Sequence, residues 1–104
     1  MAWTSKKMFQ GALSTAAVAR FTNVAGKTAQ VCEIHLANTG ATARTVTLYT
    51  HGTAAANMLQ IIPVPAGGSV LVQDLKIILI NTEVLAAKQD VGTDITMTVY
   101  GGDE

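Results

Sequence analysis

Strict alternation of apolar and polar residues is the feature that most limits how this chain folds. Thr28–Asn38 reads TAQVCEIHLAN, with Cys32, Ile34 and Leu36 in one phase and Glu33 and His35 in the other. Two further stretches, TVTLYT (Thr45–Thr50) and TMTVYG (Thr96–Gly101), both alternate threonine with an aliphatic residue and reach a tyrosine. A period of two belongs to a half-buried strand, because successive side chains point to opposite faces of a sheet. Helical spacing is hard to find. The apolar phase predicts one shared core containing Cys32, Ile34, Leu36, Val46, Leu48, Ile95, Met97 and Val99.

The remaining segments read the same way. KKMFQGAL and AVARFTNV are short strands near the start, and NTGAT after Asn38 is a turn cluster. MLQIIPVP is extended and closed by Pro63 and Pro65, which marks a sheet edge or a strand end, since proline donates nothing to a ladder. AGG turns the chain into SVLVQDL. KIILIN follows with apolar residues on both faces, as for a strand covered on each side. EVLAAKQ is read as a strand because Gly92 and Asp94 form a turn before ITMTVYG. The last strand, ending the chain, is expected at a sheet edge. About eight strands spaced about 8–12 residues apart predict an all-β fold, a single antiparallel β-sandwich of jelly-roll type. The 104 residues make one domain, 1–104, with 1–6 as a candidate N-terminal arm.

Chemistry is sparse. His35 and His51 lie on different strands, and with one cysteine there is no zinc-type spacing and no internal disulfide. Glu33 and His35 share a strand face and read as ordinary polar surface. Ser5, Ser14 and Ser69 lack a nucleophile elbow, and AGGS has no following Lys-Ser/Thr to cradle a phosphate. Asp90 and Asp94 belong to a turn, without the alternating oxygen ligands of a calcium loop. No catalytic residue, metal site or cofactor is expected, and a small hydrolase lacks a constellation.

The surface says more. Hydrophobic residues make up 49% of the chain and charged residues only 13%, against about 25% charged in soluble domains. Such a chain is expected to have much of its exterior covered by partners. Seven basic residues balance seven acidic ones, and Lys6-Lys7 is the only adjacent basic pair, so nucleic acid is not an expected partner. No apolar run approaches the roughly 20 residues that span a bilayer. Ser5–Arg20 has the outline of a secretory signal, but Gln10, Ser14 and Thr15 interrupt it and Arg20-Phe21 continue into a strand. It is read as folded chain, in a protein made in the cytoplasm and not secreted. The outward phases, Thr45, Thr47 and Tyr49 on one strand and Thr96, Thr98 and Tyr100 on the other, carry no charge. A monomer usually guards such faces with Lys or Glu, so these six residues are the candidate contact surface. Trp3 joins them, either docked on its own sheet or anchoring a neighbour.

The stretch VAGKTAQVCEIHLANTGATARTVTLY (Val24–Tyr49), with PAGGSVLVQDL (Pro65–Leu75) and TDITMTVYGG (Thr93–Gly102), resembles small structural proteins of tailed bacteriophages. The resemblance covers residues 24–102. It departs at Val24, where the family pattern has proline, and in the N-terminal stretch bearing Trp3. It implies a virion β-sandwich without catalytic residues: a capsid decoration (cement) protein on the major capsid lattice, or a neck, tail or baseplate subunit. A self-associating chain, with a closed ring such as a trimer favoured, fits this expectation. From another class, a carbohydrate-binding β-sandwich requires a row of exposed aromatics, for which Trp3, Tyr49 and Tyr100 are the available residues.

Overall fold

Alternating segments joined by short turns leave the backbone few options besides ladders, and ladders are what form. The computed structural model describes residues 3–104, which contain β1 (Thr4–Ala12), β2 (Val18–Thr22), β3 (Thr28–Asn38), β4 (Arg44–Thr50), β5 (Met58–Val64), β6 (Ser69–Val72), β7 (Ile77–Ile80), β8 (Val84–Gln89) and β9 (Ile95–Asp103). One antiparallel sheet runs β1-β9-β3-β6, with β7 also on β3, and the other runs β2-β8-β4-β5. β6 pairs with Ile34–Ala37 and β7 with Thr28–Val31, so the two are one strand position broken in the middle. Counted so, eight positions follow the jelly-roll order, in which successive strands pass from one sheet to the other except at the β4–β5 hairpin. The all-β sandwich read from the alternation is the fold observed.

The core lies between the sheets. Val46, Leu48, Ile95, Met97 and Val99 are fully buried, as their phase requires, and so are Ile34 and Leu36. Cys32 is the exception. Val31 lies opposite Gly101 and Glu33 opposite Tyr100, which leaves Cys32 as an extra residue in β3. A bulge of this kind shifts the side-chain phase by one. Ala29 and Val31 therefore continue the core, and the Cys32 thiol, expected inside, is half-buried instead. β1 carries a matching irregularity: Lys7 faces Tyr100 and Phe9 faces Val99, with Met8 between them turned inward.

Two sequence expectations about the chain's ends are corrected. Thr4–Lys6 are part of β1, paired with Gly101–Asp103, and form no arm; Met1 and Ala2 lie outside the described residues. β9 is no edge strand, because β1 closes over one side of it and β3 holds the other. Lys6 Nζ lies 2.8 Å from the buried Asp103 carboxylate and Lys27 Nζ 3.7 Å from it, which ties one end of the β1–β9 ladder to the β2–β3 turn. Buried amides close other turns. The Gln89 side chain accepts from Ile95 N–H at 2.8 Å and donates to Val91 C=O at 3.0 Å, fixing the β8–β9 connection.

Candidate functional site

The two Thr-Thr-Tyr strands end in different environments. β4 lies inside its sheet, with Thr47 opposite Ile61 and Lys88, and Tyr49 opposite Met58 and Ala86. Only 8% of Thr47 and 4% of Tyr49 remain accessible, and Thr45 is half-buried. The open face expected at Thr45, Thr47 and Tyr49 is thus corrected. Flanking side chains longer than threonine, and an alanine that leaves room for the ring to lie down, account for the burial.

The β9 face is more open. Thr96 and Thr98 are half-buried and Tyr100 is 42% exposed. From Ile95 to Gly102 its strand is uncharged, but its neighbours are not: Lys7 and Glu33 flank Tyr100 from either side. His35 meets Tyr100 edge to face at 5.5 Å and lies 3.3 Å from the Glu33 carboxylate, bracing the tyrosine. Trp3 reaches the same place. A Cβ at position 102 would lie 2.6 Å from Trp3 Cζ2, so Gly102 is what lets the indole rest against the sheet. Trp3 therefore docks on its own domain.

Between these two aromatics the sheet is hollowed. The bulges in β1 and β3 fall on either side of Val99–Gly101. Opposite the β3 bulge, Gln73–Lys76 separate β6 from β7 and arch away from the ladder, held by Leu75 N–H donating to Cys32 C=O at 3.1 Å. Asp74 takes a left-handed conformation (φ 59°) at the turn of this arch, which aspartate tolerates better than most residues. The result is a cleft of about 680 Å³ with Trp3 and Tyr100 in its wall and Cys32, Glu33, Gln73 and Asp74 around them.

A second surface lies at the sandwich edges. β1 carries Lys6 and Lys7, and β2 carries Arg20, whose guanidinium bonds Ala87 C=O and Ser14 Oγ. On β7 the free backbone groups are capped by side chains: His51 Nε2 lies 3.1 Å from Ile78 C=O, and the Glu83 carboxylate accepts from Ile80 N–H at 2.7 Å. β6 is only four residues long. β5 has no charge and no capping side chain, and its ladder-breaking features are Pro63 and an irregularity at Leu59. It is a seven-residue edge strand with Met58, Leu59 and Ile61 exposed by 43, 46 and 58%. It lies within residues 52–73, which contain no Asp, Glu, Lys, Arg or His. The tyrosine strands drew attention in the sequence, while the uncharged run ending in two prolines was the signal for this edge. KIILIN, expected to be covered on both faces, exposes Ile78 and Ile80.

Among the described residues no group of three His, Cys, Asp or Glu gathers as a cation site, and no helix is long and apolar enough to cross a membrane. No protein-family model, characterised protein or solved structure matches the chain.

Proposed function

We propose that this chain is a non-enzymatic structural protein that assembles with copies of itself and with a larger protein shell. The observation carrying this reading is β5, an edge strand that is long, uncharged and apolar on its open side. Such an edge offers unpaired N–H and C=O groups to any passing strand, and monomers blunt it with charge, shortness, proline, a bulge or a cover. Three of the four edge positions here carry charge, shortness or a capping side chain, whereas β5 has only Pro63 and the irregularity at Leu59, which leave Gln60–Ile62 open between them. A contact that covers β5 in every copy, as in a closed ring such as a trimer, removes the hazard and turns it into an interface. The β-sandwich fold and the resemblance of residues 24–102 to small tailed-phage structural proteins direct the reading to a capsid decoration protein on the major capsid lattice. A neck, tail or baseplate subunit is the neighbouring assignment. Quantitative mass spectrometry of washed particles tests it. Presence at a fixed ratio to the major capsid protein is expected for a decoration protein, and a low fixed copy number for a neck or tail part; absence from the particle overturns the proposal.

A further inference from the structure

The cleft between Trp3 and Tyr100 has no role in self-assembly through β5, since it opens on the outer face of the other sheet. We infer that it is a binding site for a neutral saccharide. Tyr100 and Gly102 point to the same face of β9, two residues apart, and the indole of Trp3 rests over Gly102. Two residues of strand separate positions 100 and 102 by about 7 Å, which puts both aromatic side chains within reach of one saccharide. Aromatic faces bind such surfaces through dispersion and weak C–H contacts. Hydroxyl groups at the rim of a sugar need fixed donors and acceptors, and Glu33, Gln73, Asp74 and Lys7 supply both kinds within the same cleft.

Charge selects among ligands. Lys6, also in the wall, is neutralised by Asp103 at 2.8 Å. Lys7, whose ammonium donates to Gln10 Oε1 at 2.8 Å, is outnumbered in the lining by the carboxylates of Glu33 and Asp74, so the cleft has no cationic excess to hold a phosphate, a nucleic acid or an acidic sugar. The cleft, of about 680 Å³, is broad and open to solvent, as suits a saccharide bound on a surface with one face left in water. The two flanking bulges and the left-handed Asp74 are irregularities of the kind that re-aim side chains around binding sites.

The chain supplies its own reporters, because Trp3 is its one tryptophan and Cys32, on the cleft wall, its one thiol. The full chain is titrated with neutral mono- to trisaccharides of glucose, galactose, mannose and N-acetylglucosamine, with choline and sialyllactose as charged comparators. At least one neutral sugar is expected to change Trp3 emission saturably, with a Kd below about 10 mM, and to slow maleimide modification of Cys32. Tyr100→Ala, followed by calorimetry, is expected to weaken that binding at least about tenfold. Asp74→Ala, on the exposed arch, gives the same test should Tyr100→Ala lower the melting temperature. Ile61→Lys, which alters only the β5 edge, is expected to bind the sugar as the parent does. No response to any neutral sugar at about 10 mM, a stronger response to choline or sialyllactose, or unchanged affinity in both cleft variants overturns the inference.

Discussion

Replacing Ile61 by lysine separates folding from assembly. Ile61 already exposes 58% of its side chain in the isolated domain, so the substitution removes little from the core. Its cost to folding should stay within about 0.5 kcal/mol, as for other surface changes. In an assembly the account differs. Full burial of an aliphatic side chain contributes about 1.5–3 kcal/mol, so covering the exposed half of Ile61 is worth on the order of 1 kcal/mol. Leu59 and Met58, exposed by 46 and 43%, add about as much each. The free edge of β5 also offers backbone hydrogen bonds with a net value of about 0.5–1.5 kcal/mol apiece, except at Pro63, which has no N–H. These gains are comparable with the lower part of the association cost of roughly 4–15 kcal/mol, so self-association through β5 alone is weak and the shell supplies the rest. A lysine at 61 forfeits its own share and forces an unpaired ammonium out of water, a penalty of several kcal/mol. A combined loss of about 3 kcal/mol is more than 100-fold in Kd. Sedimentation velocity over a concentration series should show the parent associating and Ile61→Lys monomeric, with matching melting curves at low concentration. Equal association by the variant would refute the assignment of β5, and a parent that stays monomeric would refute self-assembly itself.

Three other outcomes follow from the same structure. Leu48→Ala empties a fully buried position in the middle of β4 and should cost about 2–5 kcal/mol in chemical denaturation. Thr47→Lys should destabilise the fold while Thr98→Lys should not, since only Thr47 lies buried between flanking strands; thermal melting compares the two directly. The hydrogen bond from Lys6, reinforced by its charge, holds the Asp103 carboxyl below the usual carboxylate range. A depressed folded-state value means the stabilisation is present above the ordinary pKa of about 3.9 and disappears as pH falls through the lower one. Lys6→Met should therefore flatten the loss of stability on acidification, measured by denaturant titrations at successive pH values.

Most of the architecture was legible because alternation is a local signal: β3 and β4 have the bounds that TAQVCEIHLAN and RTVTLYT announce. Tertiary placement was not. Cys32 has the same phase as Ile34 in the sequence, and only the partner strand reveals that Cys32 is itself the extra residue, lying between the paired Val31 and Glu33. Tyr49 and Tyr100 are identical in local pattern, yet one is covered by its neighbours in the sheet and the other is not, since that depends on which strands flank them. Trp3 and Tyr100 are 97 positions apart and share a cleft through the β1–β9 ladder, which no local pattern encodes. The unguarded edge was the reverse case. Its uncharged run stands in the sequence, and what was missing was the knowledge that the other edges are protected by Lys6, Arg20, His51 and Glu83.

The pairing of Thr4 with Asp103 has a consequence for how the molecule comes into being. β1 has a single ladder partner, and that partner, β9, is the most distant strand of the sandwich in sequence. Until residues 95–103 leave the ribosome, the first strand has nowhere to hydrogen-bond, while the remainder of its sheet can already gather on β3. Closing a loop of nearly the whole chain costs on the order of 4 kcal/mol of entropy by the logarithmic rule, and contacts so distant in sequence slow the search for the native state. The sandwich therefore completes itself only once β9 has emerged, and removing β9 deprives β1 of its ladder as well.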